Sequence, residues 1–173
     1  MFATALLHLQ AIFQSPRLIE SPGVAVSRAY PDVLWTHNDS GDRPYLYATD
    51  LRGTDRGALL VPGADAIDWE DISLGPCPVA FSLPASACVY LADTGDNLEF
   101  RPFVTIYAVP ESPPPERASD TSGTTRAPAV LRLRYPDGPH DVEAVYVSPR
   151  DTAVYLVSKG ATRSTFSMTR PLS

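Results

Sequence analysis

The stretch VPGADAIDWEDISLG, from Val61 to Gly75, is echoed downstream by YPDGPHDVEAVYVS, from Tyr135 to Ser148. Each stretch leaves an apolar run, passes through a turn of proline and glycine, and reaches two acidic residues that flank an apolar one. A short apolar strand follows in both cases. Because the turn and the acidic pair recur together, the chain contains an internal repeat, and such repeats indicate solenoids, propellers or arrays.

Three units of this repeat occupy residues 20–53, 68–111 and 141–171. Each unit combines an acidic entry, a short apolar strand, a second strand that ends in a polar glycine turn, and a third strand. The turns read NDSGD at 38–42, DTGDN at 93–97 and, more weakly, SKG at 158–160. Proline and glycine interrupt the apolar residues throughout, which favours many short strands over long helices.

A fourth strand follows in the first two units, at 58–61 and 130–135. Four strands in roughly 40–50 residues are typical of a propeller blade. The sequence therefore predicts an all-β fold, a partial β-propeller of about three four-stranded antiparallel blades, with Trp35 and Trp69 packed between blades. Since closed propellers usually need about four to eight blades, we expect an open fragment of a truncated propeller.

The repeat divides the chain into three parts. Residues 20–160 form the predicted partial propeller, residues 1–19 a poorly defined segment that is a strand or a remnant leader, and residues 161–173 a polar tail. Within the second unit, residues 110–128 read PESPPPERASDTSGTTRAP. Such a composition cannot form a packed strand, so it predicts an exposed, flexible insertion.

Charge and hydropathy restrict the partners. The formal net charge is −6 and Lys and Arg are not clustered. Since nucleic-acid binding needs a concentrated basic surface, we expect no nucleic-acid partner. No uninterrupted apolar stretch reaches about 18 residues, so we expect no membrane span. The apolar segment 2–13 lacks the basic start and the cleavage site of a standard signal peptide.

Cys77 and Cys88 are the only cysteines, and they flank a loop of Pro, Ser and Ala. A disulfide between them would close a short ring, and the alternative is two free thiols. Since disulfides persist in oxidising compartments, this pairing predicts an extracytoplasmic or secreted protein.

The motifs NDSGD, DWED with an apolar residue after it, and DTGDN resemble those of uncharacterised bacterial secreted β-propeller proteins. Over about residues 20–160 the layout is similar to NHL-like and phytase-esterase-like six-bladed propellers. Such families are generally extracytoplasmic, and some bind calcium or phosphate esters. The third unit departs from the pattern because its turn lacks Gly-Asp. A shared fold does not by itself assign a function.

The acidic turns and entries predict a metal site with calcium as the cofactor. Calcium prefers six to eight oxygen ligands from carboxylates, amides and backbone carbonyls, and we expect the acidic ends of the units to converge on one end of the propeller channel. The candidate ligands are Asn38, Asp39, Asp42, Asp68, Glu70, Asp71, Asp93, Asp96, Asn97, Asp141 and Glu143. The alternative is that Asn and Asp beside Gly only form tight turns.

Basic residues follow the same turns and are candidates for ligand binding: Arg43, Arg101 and Lys159. They would either form salt bridges with the carboxylates or hold a phosphate or carboxylate ligand beside a metal. We interpret His37 and His140 as hydrogen-bonded turn residues rather than catalytic bases.

Three functions remain open at this level. The sequence contains no GxSxG nucleophile elbow, which favours a secreted, non-catalytic propeller that binds calcium and recognises a small molecule or protein on its loop face. One alternative is a metal-dependent phosphoesterase or esterase with Glu70 as the general base. The other is a truncated fragment without activity.

Overall fold

A computed structural model of the chain describes residues 10–150, 152–159 and 165–168. Within these ranges the chain consists of β-strands, turns and loops, with one short 3₁₀ turn at Val79–Phe81. The strands are β1 (Val24–Val26), β2 (Leu34–Thr36), β3 (Tyr45–Thr49), β4 (Asp55–Leu60), β5 (Trp69–Pro76), β6 (Ala87–Asp93), β7 (Val104–Pro110), β8 (Ala129–Leu133), β9 (Val142–Val147), β10 (Val154–Ser158) and β11 (Thr165–Met168). Most of the predicted polar tail, and residues 1–9 of the predicted N-terminal segment, lie outside the described residues.

The strands form three antiparallel sheets, and strands that follow each other along the chain are neighbours in the sheet. Sheet I contains β1–β4, sheet II contains β5–β8 and sheet III contains β9–β11. The prediction of an all-β fold of about three propeller-like blades is confirmed. Within the described part of the chain, sheet III has three strands and no sheet closes on itself.

The first strands of the three sheets lie side by side, with β1 against β5 and β5 against β9. Asp71 Oδ2 accepts a hydrogen bond from the backbone N–H of Val145 at 2.8 Å, and Ser73 Oγ accepts one from Val147 at 3.2 Å. Two residues further along β5, the partner also lies two residues further along β9, so β5 and β9 run in the same direction. Gly75 permits this approach, because a Cβ there would overlap the Val147 side chain.

Sheet II is buried on both faces. Along β6, Val89 and Leu91 belong to the core shared with sheet I, whereas Tyr90 and Ala92 belong to the core shared with sheet III. Successive side chains of a strand point to opposite faces. A strand that is covered on both faces therefore needs a continuous apolar sequence, and the run CVYLA at 88–92 supplies it.

Trp35 and Trp69 lie in the core between sheets I and II, and neither is more than 1% exposed. The indole N–H of Trp35 donates to Glu111 Oε1 at 3.0 Å, and that of Trp69 donates to the carbonyl of Asp65 at 2.8 Å. A buried indole usually finds such a partner. The prediction that the two tryptophans fill the space between blades is confirmed.

The proline-rich insertion that leaves sheet II runs along the outer edge of sheet I. The backbone N–H of Ala58 donates to the carbonyl of Asp120 at 2.7 Å, and that of Leu60 donates to Gly123 at 3.0 Å. Many side chains of residues 110–128 are exposed, as expected, but the backbone is tied to β4, which the sequence did not indicate. The insertion thereby covers an edge strand whose N–H groups would otherwise be open to pairing.

Cys77 and Cys88 form a disulfide, as predicted, with a Cα–Cα distance of 4.9 Å. It joins the residue that follows β5 to the second residue of β6, across a sequence separation of 11. Both half-cystines belong to the core between sheets II and III. The disulfide therefore fixes one end of the hairpin at the centre of the stack.

Replacing both Cys77 and Cys88 by Ser should lower the free energy of unfolding by about 2–4 kcal/mol, because the reduced unfolded chain regains the entropy of the open loop. Urea unfolding at equilibrium measures this change. Treating the wild-type protein with dithiothreitol should produce the same shift. An unchanged unfolding midpoint in the double variant would contradict a stabilising disulfide.

Candidate metal centre

Five acidic side chains meet at one end of the inner strands. Asp68 precedes β5 and Glu70 lies within it, while Asp141 precedes β9 and Glu143 lies within it. Asp39 comes from the turn after β2. Because β5 and β9 run in the same direction, their starts lie at the same end of the stack, and the acidic entries of two repeat units are brought together. We call these five residues the acidic centre.

The acidic centre consists of two overlapping groups that share Glu70. One carboxylate oxygen each from Asp39, Asp68 and Glu70 lie within 4.8 Å of one another, and so do oxygens from Glu70, Asp141 and Glu143. Two oxygens bound to one calcium ion at about 2.3–2.6 Å lie no more than about 5 Å apart. Each group therefore has the spacing of ligands around one ion.

Glu70 lies between the two groups and is the most unusual member. The residue is only 8% exposed, and its carboxyl group makes no hydrogen bond or ion pair with any described residue. Buried carboxylates are normally paired or bound to a metal. The Glu70 carboxylate therefore lies in the acidic centre without a partner in the part of the chain that the structure describes.

Gly95, in the DTGDN turn, provides the space for this arrangement. A Cβ on Gly95 would overlap both Glu70 Oε1 and a carboxylate oxygen of Asp68. In the sequence this glycine is typical of a tight turn, and nothing marks it as part of a site. Its contact with the carboxylates depends on how the turn after β6 packs over the start of β5, which is a tertiary feature.

The electrostatics of the acidic centre favour a cation. Burial, together with the negative charges of Glu143, Asp39 and its other acidic neighbours, raises the pKa of Glu70 from 4.5 to about 8. Burial, followed by the charge of Asp39, also raises the pKa of Asp68, although Arg101 opposes this shift. Like charges at this spacing repel one another, so a bound cation would reduce the repulsion among the carboxylates.

Asp93 and Asp96, the acidic residues of the DTGDN turn, position neighbouring parts of the acidic centre without belonging to it. Asp93 accepts a hydrogen bond from the Arg101 guanidinium at 2.9 Å, and Arg101 also donates to the carbonyl of Gly95 at 2.6 Å. Asp96 accepts from the backbone N–H of Arg101 at 2.7 Å, and its own N–H donates to Asp141 Oδ1 at 2.8 Å. Burial raises the pKa of Asp93, and Arg101 opposes this shift. These contacts hold Gly95 and Asp141 in position.

In the first turn only Asp39 reaches the acidic centre. Asn38 donates to Asp42 Oδ2 at 2.6 Å and accepts from the backbone N–H of Ile19 at 2.9 Å, while the Tyr47 hydroxyl donates to Asp42 at 2.8 Å. Asn38 and Asp42 therefore fix the turn against the N-terminal segment. Both residues therefore stabilise a tight turn, which is the alternative to metal binding that the sequence left open.

The remaining predicted ligands also lie elsewhere. Asp71 accepts a hydrogen bond from Val145 and links β5 to β9, and burial raises its pKa. Asn97 is exposed at the surface. Of the eleven side chains that the sequence predicts as ligands, the structure thus gathers five.

The predicted ligand-binding cations have different surroundings. Arg101 is engaged with the DTGDN turn, and the Arg43 guanidinium stacks on the Tyr45 ring at 5.3 Å. Lys159 reaches the acidic centre, where its Nζ lies 2.8 Å from Glu143 Oε1 and 3.7 Å from Asp141 Oδ2. It is the only one of the three at the acidic centre.

The two predicted turn histidines form hydrogen bonds with nearby residues. His37 Nδ1 lies 2.8 Å from the carbonyl oxygen of Asn38, and His140 Nε2 lies 3.0 Å from Asp137 Oδ1. His37 is fully buried, its ring meets Trp69 edge-on at 5.5 Å, and burial lowers its pKa. Packing against the core thus favours the neutral imidazole of His37.

The fold and the acidic centre together define the class of protein: a stack of antiparallel propeller-like sheets with clustered carboxylates at the starts of its inner strands. Comparison with protein-family models, with curated proteins and with solved structures finds no match for this chain. Among the described residues, no helix has the length and hydropathy needed to cross a membrane.

Without added cations, the stability of the protein should fall as the pH rises from about 4.5 to 8. The pKa of Glu70 is raised in the folded state, so its protonated form is favoured there, and this stabilisation is present below pH 4.5 and lost as the pH passes 8. The raised pKa values of Asp68 and Asp71 act in the same direction, whereas the lowered pKa of His37 opposes them below its ordinary value of 6.5, so the fall is clearest between pH 6.5 and 8. Thermal unfolding in EDTA-containing buffers measures the effect.

Glu70→Gln should flatten this pH profile, because glutamine does not titrate. Glu116→Gln, which removes an exposed carboxylate of the insertion, is the matched control and should keep the wild-type slope. A Glu70→Gln variant with the same slope as the wild type would show that Glu70 does not carry the effect.

Proposed function

We propose that this chain is a secreted propeller-type binding protein whose acidic centre holds a calcium ion, with the loop face beside it used for recognition. The observation that carries the proposal is Glu70. The residue is only 8% exposed, its carboxyl group has no hydrogen bond or ion pair among the residues that the structure describes, and it lies within ligand spacing of two further carboxylates on either side.

The chemistry of the donors selects the type of ion. All five side chains offer carboxylate oxygens, and neither His nor Cys is among them. Oxygen ligands suit hard cations such as calcium and magnesium, whereas nitrogen and sulfur donors would suit zinc or copper. Calcium tolerates irregular and bidentate carboxylate arrangements, while magnesium demands near-octahedral geometry. Side chains from three separate segments, around Asp39, Asp68 and Asp141, therefore favour calcium.

The location is supported by the disulfide between Cys77 and Cys88, since such bonds persist in oxidising compartments. Free calcium in extracytoplasmic spaces matches sites with dissociation constants of about 10⁻⁴–10⁻³ M. The resemblance of NDSGD and DTGDN to secreted propellers agrees with the same location.

Calcium at 10 mM should stabilise the wild-type protein by about 1–3 kcal/mol, the value expected for a ligand at roughly 10 to 100 times its dissociation constant. Thermal unfolding with calcium and with EDTA measures the difference. Glu70→Gln should lose most of the calcium response, because it removes the charge that the two groups share. Glu116→Gln removes the same charge from the exposed insertion and should retain the response. The proposal fails if calcium leaves the wild-type melting temperature unchanged.

A second candidate, metal-assisted hydrolysis of a phosphate or acyl ester, is favoured by one observation. In the cation-free centre the pKa of Glu70 is raised to about 8, and a general base works best when its pKa lies near the operating pH. A bound cation would lower this pKa, so in this role the Glu70 carboxylate would have to remain uncoordinated. A metal beside it would supply an activated water.

The hydrolysis hypothesis expects turnover of p-nitrophenyl phosphate or p-nitrophenyl acetate in the presence of calcium. Glu70→Gln should abolish this turnover and Glu116→Gln should not. If the wild-type protein binds calcium but turns over neither ester, the binding function stands and the hydrolysis hypothesis is rejected for these substrate classes.

A further inference from the structure

The two halves of the acidic centre differ in how their charge is balanced. In the half formed by Glu70, Asp141 and Glu143, the Lys159 ammonium lies 2.8 Å from Glu143 and 3.7 Å from Asp141. In the other half, neither Asp39 nor Asp68 forms an ion pair with a described basic residue. Among the described residues, one half thus contains a protein cation in contact with its carboxylates, whereas the other half has only the longer-range influence of Arg101 on Asp68.

The position of Lys159 is fixed by the backbone. It directly follows β10, and its N–H donates to the carbonyl of Asp141 at 2.8 Å. The side chain is 59% exposed, so the ammonium reaches the carboxylates from solvent and is not locked among other groups. Glu143 and Asp141 raise the pKa of Lys159, which keeps the ammonium charged.

We propose that Lys159 is a built-in counter-ion that occupies the second cation position of the acidic centre. The wild-type protein then takes one divalent cation, at Asp39, Asp68 and Glu70, and loss of the Lys159 charge opens a second position at Glu70, Asp141 and Glu143. This inference rests on the proposed function, and it assigns to Lys159 the control of how many ions that centre binds.

The position of the ammonium supports this assignment, because it lies against Glu143 and Asp141, where a second ion would bind. Total charge does not decide the number of ions, since two divalent cations together with Lys159 would balance all five carboxylates of the centre. Two metal ions that share a carboxylate lie about 3.5–4 Å apart in known binuclear sites, and the shared Glu70 can bridge such a pair. An ammonium in the second position would repel a second ion at this distance.

Isothermal titration with calcium tests the proposal through stoichiometry. The wild-type protein should bind one ion, and Lys159→Gln should bind two, with the first ion bound about three- to tenfold more tightly. Lys159→Arg keeps the charge and should bind one ion. Arg43→Gln removes a positive charge that is stacked on Tyr45, and it should also bind one ion with wild-type affinity.

A second measurement uses the wild-type chain and avoids substitution. Lys159 is the only lysine in the sequence, so mild acetylation of the folded protein neutralises this side chain and otherwise reaches only the N-terminal amine. Acetylated wild type should match Lys159→Gln in calcium stoichiometry. Acetylation of the Lys159→Gln variant, which modifies the N-terminal amine alone, should leave its calcium stoichiometry unchanged.

The outcomes separate the two proposals. If the wild type binds one ion and both the Lys159→Gln variant and the acetylated protein also bind one with the same affinity, the role of Lys159 is wrong and the calcium centre stands. If none of these proteins binds calcium, the calcium centre itself is wrong. Two ions in the wild-type protein would also overturn the role of Lys159.

Discussion

The parallel alignment of the inner strands β5 and β9 is the constraint on which the acidic centre depends. Asp71 and Ser73 on β5 accept hydrogen bonds from the backbone of β9 at Val145 and Val147. These contacts fix both the separation and the register of the two strands. Since each strand begins with an acid–apolar–acid entry, the same alignment forces four carboxylates to one end, where Asp39 joins them.

Such a concentration of negative charge opposes folding, and the surrounding structure compensates for it. Packing of the apolar side chains on both faces of sheet II supplies the main stabilisation. The disulfide holds the central hairpin, and Arg101 fixes the turn that contains Gly95 against the carboxylates. Local instability of this kind is typical of functional sites, where the rigid scaffold around them tolerates it.

The covering of β4 by the insertion has a related explanation. An open stack of antiparallel sheets has exposed strand edges, which invite pairing with other chains. Residues 120–125 occupy the edge of sheet I through backbone hydrogen bonds, with Ala58 and Leu60 as partners. Backbone carbonyls in an irregular segment can serve this purpose without any strand-forming sequence, so the proline-rich composition and the protective role are compatible.

The sequence by itself determined the class of fold, the repeat and the acidic entries at Asp68–Glu70 and Asp141–Glu143, because alternation, turn residues and spacing are local properties of the chain. It favoured the disulfide but left two free thiols as the alternative. It did not separate the ligand candidates from the acids that shape turns. Asp39 and Asp42 belong to the same short motif, yet one faces the acidic centre and the other bonds to Tyr47. That choice, the space left by Gly95, the approach of Lys159 and the docking of the insertion were decided by the tertiary structure, since each depends on the distance between segments that are far apart in the chain.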